Sequence, residues 1–290
     1  MQHDLEVLGR EAEQIVKDIG IPPCPAILTK LVHKMRDDDP DFIEIGRLIS
    51  SDVGLAAAIL KTVNSPFYGL RTKATSVQQA LAFLGLANVA QLVTGLLLRQ
   101  AFPVGTNAKM EQFWEFSSSV ALINAYSARK FNVVDRDVAY TFALFRDCGI
   151  PLMIGKFRDY APMRLDSQIG YGQHATDLET ERYEMNHAVI GCHLAKSWML
   201  PDETCQAILW HHDYPALKEG RADVSAASYK LIALALVSEC LFTRHTMAVD
   251  CPEWGVAGMI ALEKLGLSEA DLDAAMREIH GELQAIEWHG

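Results

Sequence analysis

The stretch Ala139-Tyr-Thr-Phe-Ala-Leu-Phe-Arg-Asp-Cys-Gly-Ile-Pro-Leu-Met153 lies midway along the chain, and its apolar residues point all round a helix. Such a pattern marks a buried central element around which everything else packs. Two adjacent charges, Arg146 and Asp147, stand inside the apolar run. Burying either one without a partner would be costly, so each must have a partner or face a cleft.

On both sides of this element the apolar residues recur at helical spacing. Leu5, Leu8, Ala12, Ile15, Val16 and Ile19 form one amphipathic series, stopped by Gly20, Pro22 and Pro23. Ala26 to Met35 forms the next, and Asp41 with Glu44 reads as a capping box for the one after it. Asp52 is the predicted N-cap of Val53 to Val63, and Ser76 with Gln79 opens Val77 to Leu84, with Gly85 as its stop. Further helices are predicted over about 86–100, 109–130, 184–199, 202–212, 225–244 and 253–266, and a last one begins at Ser268. Alternating apolar and polar runs rich in β-branched residues are missing, so the fold is predicted to be all-α. Pro103 to Asn107 and the polar 214–223 segment divide it into an N-terminal helical subdomain (1–105), a core (106–215) and a C-terminal helical extension (216–290).

Half of the 290 residues are hydrophobic, enough for a sizeable core, and the net charge is −11. An acidic chain with no Lys/Arg cluster longer than a dipeptide argues against nucleic acid and anionic membranes as partners. The six cysteines show no CxxC spacing and lie mostly in apolar helical surroundings, which suits reduced thiols in the cytoplasm. The N-terminus lacks the basic-then-apolar order of a signal peptide.

Three segments carry a resemblance. Ile21-Pro-Pro-Cys-Pro-Ala-Ile-Leu28 through Leu48-Ile-Ser-Ser-Asp-Val-Gly-Leu55, then Asn64-Ser-Pro-Phe-Tyr-Gly69, then Ser76-Val-Gln-Gln-Ala-Leu-Ala-Phe-Leu-Gly85 closely resemble the HDOD domain of bacterial signalling proteins. Trp198-Met-Leu-Pro201 and His211-His212 extend the match over roughly residues 13 to 215. The resemblance implies an HD-domain-like helical core, related to the HD and HD-GYP metal-dependent phosphohydrolases. It also implies a role in signal transduction.

Those metal enzymes use a His on the helix before the central one, a His-Asp doublet, further His residues and a closing Asp. Carried onto this chain, the first His position holds Phe116 and the doublet is Arg146-Asp147. An Arg has no lone pair to offer, so it is a cation at the metal position rather than a ligand. His187, His211 and His212 are retained, whereas the closing Asp would fall where only Ser238 and Glu239 stand.

The set Arg146, Asp147, His187, His211 and His212 is therefore read as a degenerate site, a polar cluster satisfied by internal hydrogen bonds, with no cofactor expected. Two alternatives stay open: one divalent metal such as Mn, Fe or Zn on Asp147, His187, His211 and His212, or an anion pocket in which Arg146 clamps a nucleotide second messenger. Asn64, Phe67 and Tyr68 form a turn that could anchor a protein partner, or plug the seam between the N-terminal helices and the core. The expected function is a non-catalytic regulatory module whose partners are signalling proteins. A weak metal-dependent phosphohydrolase is the alternative, and a homo-oligomer is compatible with either.

Overall fold

The computed structural model describes residues 20–37, 39–102, 108–161 and 173–284. The helix expected over 5–19, the loop 103–107 and the boundary drawn at 105/106 lie outside the described residues. Among the described residues every regular element is a helix, as the periodicity requires.

Local signals place the first helices. These are α1 (Ala26–Met35), α2 (Phe42–Ser50), α3 (Val53–Val63), α4 (Val77–Leu84) and α5 (Leu86–Ala101). Asp41 Oδ1 accepts from the backbone N–H groups of Ile43 and Glu44, Asp52 Oδ1 from Leu55, and Ser76 Oγ from Gln79. Each satisfies a donor that the first helical turn leaves orphaned. The reciprocal half of the first capping box does not form, because the Glu44 carboxylate is drawn instead to Lys34, 2.5 Å away. Gly85 ends α4 at φ 84°, a left-handed conformation that other residues rarely adopt.

The core is built from α6 (Ala108–Phe131), α7 (Arg136–Phe145), α8 (Gly149–Lys156), α9 (Gln173–Tyr183), α10 (His187–Ser197) and α11 (Asp202–Trp210). The central apolar stretch, expected as a single helix, is broken at Arg146–Cys148, where Cys148 N–H donates to the Phe145 carbonyl and Ile150 N–H to the Asp147 carbonyl. The local cause is Pro151 in the first turn of α8, which has no N–H for the Asp147 carbonyl and would clash with it in a continuous helix. A Cβ on Gly149 would sit 2.0 Å from the carbonyl oxygen of His187, so only glycine lets α8 start against the start of α10. The turn thereby presents Arg146 and Asp147 towards His187. The helix expected over 184–199 likewise begins only at His187, capped by Asn186, whose Oδ1 accepts from Val189 N–H.

The chain continues as α12 (Tyr214–Glu219), α13 (Ala226–Met247), α14 (Trp254–Leu265) and α15 (Glu269–Gln284). The polar segment after 214 thus contains a short helix of its own. α13 packs along α6 and α7, so the C-terminal part closes over the core. Arg136–Lys156 and Ala226–Met247 are long and apolar enough to cross a membrane, and 67% and 78% of their apolar windows are buried inside the protein.

The Asn64–Gly69 turn is part of this packing. Asn64 bonds both backbone groups of Ala74, donating to its oxygen and accepting from its nitrogen, each at 2.8 Å. Phe67 and Tyr68 are each 1% exposed. Phe67 meets Tyr126 edge-on with ring centroids 6.1 Å apart, and the Tyr68 hydroxyl donates to the buried Asp137 carboxylate at 2.9 Å. The partner-anchoring role entertained for Asn64, Phe67 and Tyr68 is therefore corrected: both rings are spent inside the seam, with no face left for a partner.

Candidate functional site

Arg146, Asp147, His187, His211 and His212 come from separate segments and meet at one place. Arg146 and Asp147 are in the α7–α8 turn, His187 opens α10, and His211 and His212 follow the last turn of α11. One ligand atom from each of Asp147, His187, His211 and His212 lies within 4.8 Å of all the others. His187 Nε2 is 3.1 Å from His212 Nε2 and 3.4 Å from His211 Nε2. Asp147 Oδ1 lies 3.5 Å from the Nε2 atoms of both His187 and His211.

What lies behind each imidazole decides which nitrogen keeps its lone pair. His187 Nδ1 is 2.7 Å from Glu179, a carboxylate that also accepts from the His187 backbone N–H at 2.9 Å and from the Tyr160 hydroxyl at 2.7 Å. His211 Nδ1 is 2.7 Å from the Ile208 carbonyl oxygen. Both acceptors call for a proton on Nδ1, so in the neutral ring Nε2 carries the lone pair, on the side of the cluster. His212 Nδ1 sits 3.1 Å from Glu253, near enough for an ion pair though not aligned as a hydrogen bond. Burial and the neighbouring His212 push the His211 pKa down, outweighing Asp147, so this ring is neutral at ordinary pH.

The electrostatics beside the cluster are set by Arg146. Its Nε is 3.0 Å from Asp147 Oδ2 and one terminal nitrogen is 2.7 Å from Glu239 Oε2, with all three side chains less than one-fifth exposed. Burial opposes the Asp147 charge, but Arg146, followed by His211 and His187, overcomes it and holds the carboxyl well below its usual range. Burial likewise opposes the Glu253 charge, and His212, Tyr214 and Arg146 bring its pKa down to about 2. Glu239, with Glu253 and Asp147 nearby, is pushed up by burial despite Arg146.

Phe116, expected at the first His position, presents an apolar ring edge-on to Phe242 at 5.2 Å. Ser238 turns away and donates to Asn124 at 2.9 Å, whereas Glu239 reaches the cluster only through Arg146. Glu179 and Glu253 are additions that the sequence reading does not contain. Glu179 lies on the polar helix α9 yet is fully buried, and Glu253 stands just before the apolar α14.

Comparison with known proteins agrees with this architecture. A family model described as the HDOD domain matches residues 21–214. A curated protein of Treponema pallidum (strain Nichols), itself uncharacterised, is 23% identical over 201 residues, 69% of this chain and 39% of that protein. This chain therefore spans well under half the length of that relative. Among solved structures, a protein of Shewanella amazonensis SB2B provisionally named a phosphohydrolase superposes with a TM-score of 0.70 at 18% identity, over 93% of this chain and 94% of that one. An HDOD domain protein of Geobacter sulfurreducens gives 0.63 at 22%, over 96% and 97%. A protein of Marinobacter aquaeolei VT8 provisionally named for signal transduction gives 0.64 at 19%, over 94% and 60%. With two-thirds of its length matched by the family model and its motifs seated in one helical core, the chain belongs to the HDOD domain family.

Proposed function

We propose that this protein is a non-catalytic, cytoplasmic signal-transduction module acting through other proteins, and that its HD-type cluster serves to hold one divalent ion rather than to hydrolyse phosphoesters. The observation that carries this reading is the guanidinium of Arg146, placed between Asp147 and Glu239 at 3.0 and 2.7 Å. A permanent cation neutralises those carboxylates, but unlike a metal it cannot coordinate a water and lower its pKa. The same engagement argues against Arg146 as a phosphate clamp, since its donors already serve two acids.

Support for the single ion comes from the converging lone pairs. Three imidazoles and a carboxylate are a donor set that suits Zn, Mn or Fe, and Glu179 and the Ile208 carbonyl give the outer support that metal-binding imidazoles need. Bound there, such an ion would supply Lewis acidity to a coordinated group. The residues of the chain hold His187 and His211 in the required tautomer and bury the three imidazoles, leaving Asp147 the most exposed of the four donors. His212 borders a cavity of about 220 Å³, below the ~300–1,000 Å³ usual for small-molecule sites. The same four donors also favour a second reading, a weak one-metal phosphodiesterase.

One experiment separates the two. Protein loaded with Mn, Fe or Zn is assayed for bound metal and for hydrolysis of bis(p-nitrophenyl) phosphate and cyclic dinucleotides. The expected result is about one equivalent of metal, lost in Asp147→Ala, with no hydrolysis above a protein-free control. Metal-dependent turnover that disappears in His187→Ala would overturn the non-catalytic reading. Absence of bound metal would overturn the single-ion part.

A further inference from the structure

A cavity of about 510 Å³ opens on the seam between the N-terminal helices and the core, walled by α3, α5, α6 and α7 together with the Ser65-Pro66 turn. It is more than twice the volume of the cavity beside His212 and within the range of small-molecule sites. Its inner wall is apolar, formed by Leu96, Leu122, Leu144 and the ring of Tyr140. At its mouth stand two exposed cations, Lys61 on α3 and Arg99 on α5. None of the described residues lining it is acidic, on a chain whose net charge is −11. Neither Lys61 nor Arg99 makes an ion pair among the described residues. The wall also holds Ser65, whose hydroxyl is buried without a hydrogen-bond partner, a donor that a bound group would satisfy.

We infer that this cavity binds a small amphipathic anion, an apolar body carrying a carboxylate or phosphate monoester head. The body lies against Leu96, Leu122 and Leu144, and the head sits between Lys61 and Arg99. Apolar walls with a few convergent polar groups are what such a ligand requires. Two cations with no competing carboxylate give the head a favourable field at a site where the rest of the surface repels anions. Planar polar ligands such as nucleotides fit less well, because the deep wall offers them no charged or amide group: Gln100, the amide in the lining, is exposed.

The test uses the full chain without added metal, so its outcome is independent of the cluster reading. Decanoate, decyl phosphate, decanol and decyltrimethylammonium are titrated below their micellar concentrations, with affinity read by calorimetry and stability by thermal melting. Both anions are expected to bind and raise the Tm, decanol to bind about tenfold more weakly or worse, and the cation to leave the Tm unchanged. The stronger of the two anions identifies the head group. Ala58→Phe, which fills the cavity from a half-buried position on α3, should cost about tenfold or more in affinity. Lys61→Glu with Arg99→Glu should reverse the preference towards the cation. These two exposed positions keep the test valid if Ala58→Phe fails to fold. Absence of anion binding, equal binding of the ammonium amphiphile, or anion affinity unchanged by the double charge reversal overturns the inference.

Discussion

Tyr68→Phe probes the buried pair that joins the Asn64–Gly69 turn to α7. Asp137 is fully buried; its carboxylate accepts from the Tyr68 hydroxyl at 2.9 Å and has Arg136 at 3.4 Å. Deleting one hydroxyl leaves the ring packing intact and removes a hydrogen bond to a charged acceptor, worth about 1.5–3 kcal/mol. With about 2.1 cal/mol/K of unfolding entropy per residue over 290 residues, each kcal/mol shifts the Tm by about 1.6 °C. The expected loss is therefore about 2.5–5 °C at neutral pH.

The pH dependence has a definite sign. Burial raises the Asp137 pKa above its ordinary value, while Arg136 and the Tyr68 hydroxyl pull it down. A raised folded pKa means that ionised Asp137 costs stability above the unfolded pKa, and the cost vanishes as pH falls and the carboxyl is protonated in both states. Removing the hydroxyl raises the folded pKa further, so the gap between variant and wild type should narrow from pH 7 towards pH 4. In an Asp137→Asn background the same change should cost only about 0.5–1.5 kcal/mol, the value of a neutral hydrogen bond. Thermal melts followed by circular dichroism supply the data. A loss under 1 °C, or one that does not change with pH or in the Asp137→Asn background, would refute the reasoning.

Arg146→Met leaves Asp147 and Glu239 without their cation, and breaking a buried pair this way should cost about 3–5 kcal/mol, or about 5–8 °C, measured with chelator present; an unchanged Tm would show that the pair is dispensable. Gly149→Ala drives a methyl into the His187 carbonyl and should destabilise by at least about 1–3 kcal/mol. Gly155→Ala, whose new Cβ meets nothing within 4 Å on the same helix, should be neutral or gain up to about 1 kcal/mol; equal melts for the two variants would sink the close-approach argument. A thiol reagent should find Cys24 quickly in the native protein and the other five cysteines only in denaturant, since those are buried. Burial also pushes the Cys148, Cys192 and Cys205 thiols up, so a second fast thiol would contradict the packing.

Features whose cause lies within a few residues could be read from the sequence. Asp41, Asp52 and Ser76 open their helices because an N-cap acts only on the next turn. The residues Arg146, Asp147, His187, His211 and His212 were legible as a set through the resemblance to the HDOD and HD families, which picks these three histidines out of ten. The break at Arg146–Cys148 had a local signal in Pro151 that the continuous apolar pattern masked, whereas the close approach of Gly149 to a backbone 38 residues away had none. Glu179 and Glu253 escaped for a different reason. A carboxylate on the polar α9 or at the start of α14 looks the same whether water or an imidazole receives it, and only the folded neighbourhood separates the two. Phe67 and Tyr68 were ambiguous for a similar reason: a turn with two rings can display them or bury them, and the partner residues Tyr126 and Asp137 are distant in sequence.

The indole of Trp198, 1% exposed, donates to the carbonyl of Pro22 at 3.1 Å across 176 residues of chain. On a ribosome adding about 5–20 residues per second, the Pro22 segment waits roughly 10–35 s for that ring to be synthesised. During that interval the groove between α1 and α5 that Trp198 borders stays uncovered, an apolar surface of the kind through which nascent chains recruit chaperones or stick to one another. A contact that fastens the finished protein thus sets a timetable for making it.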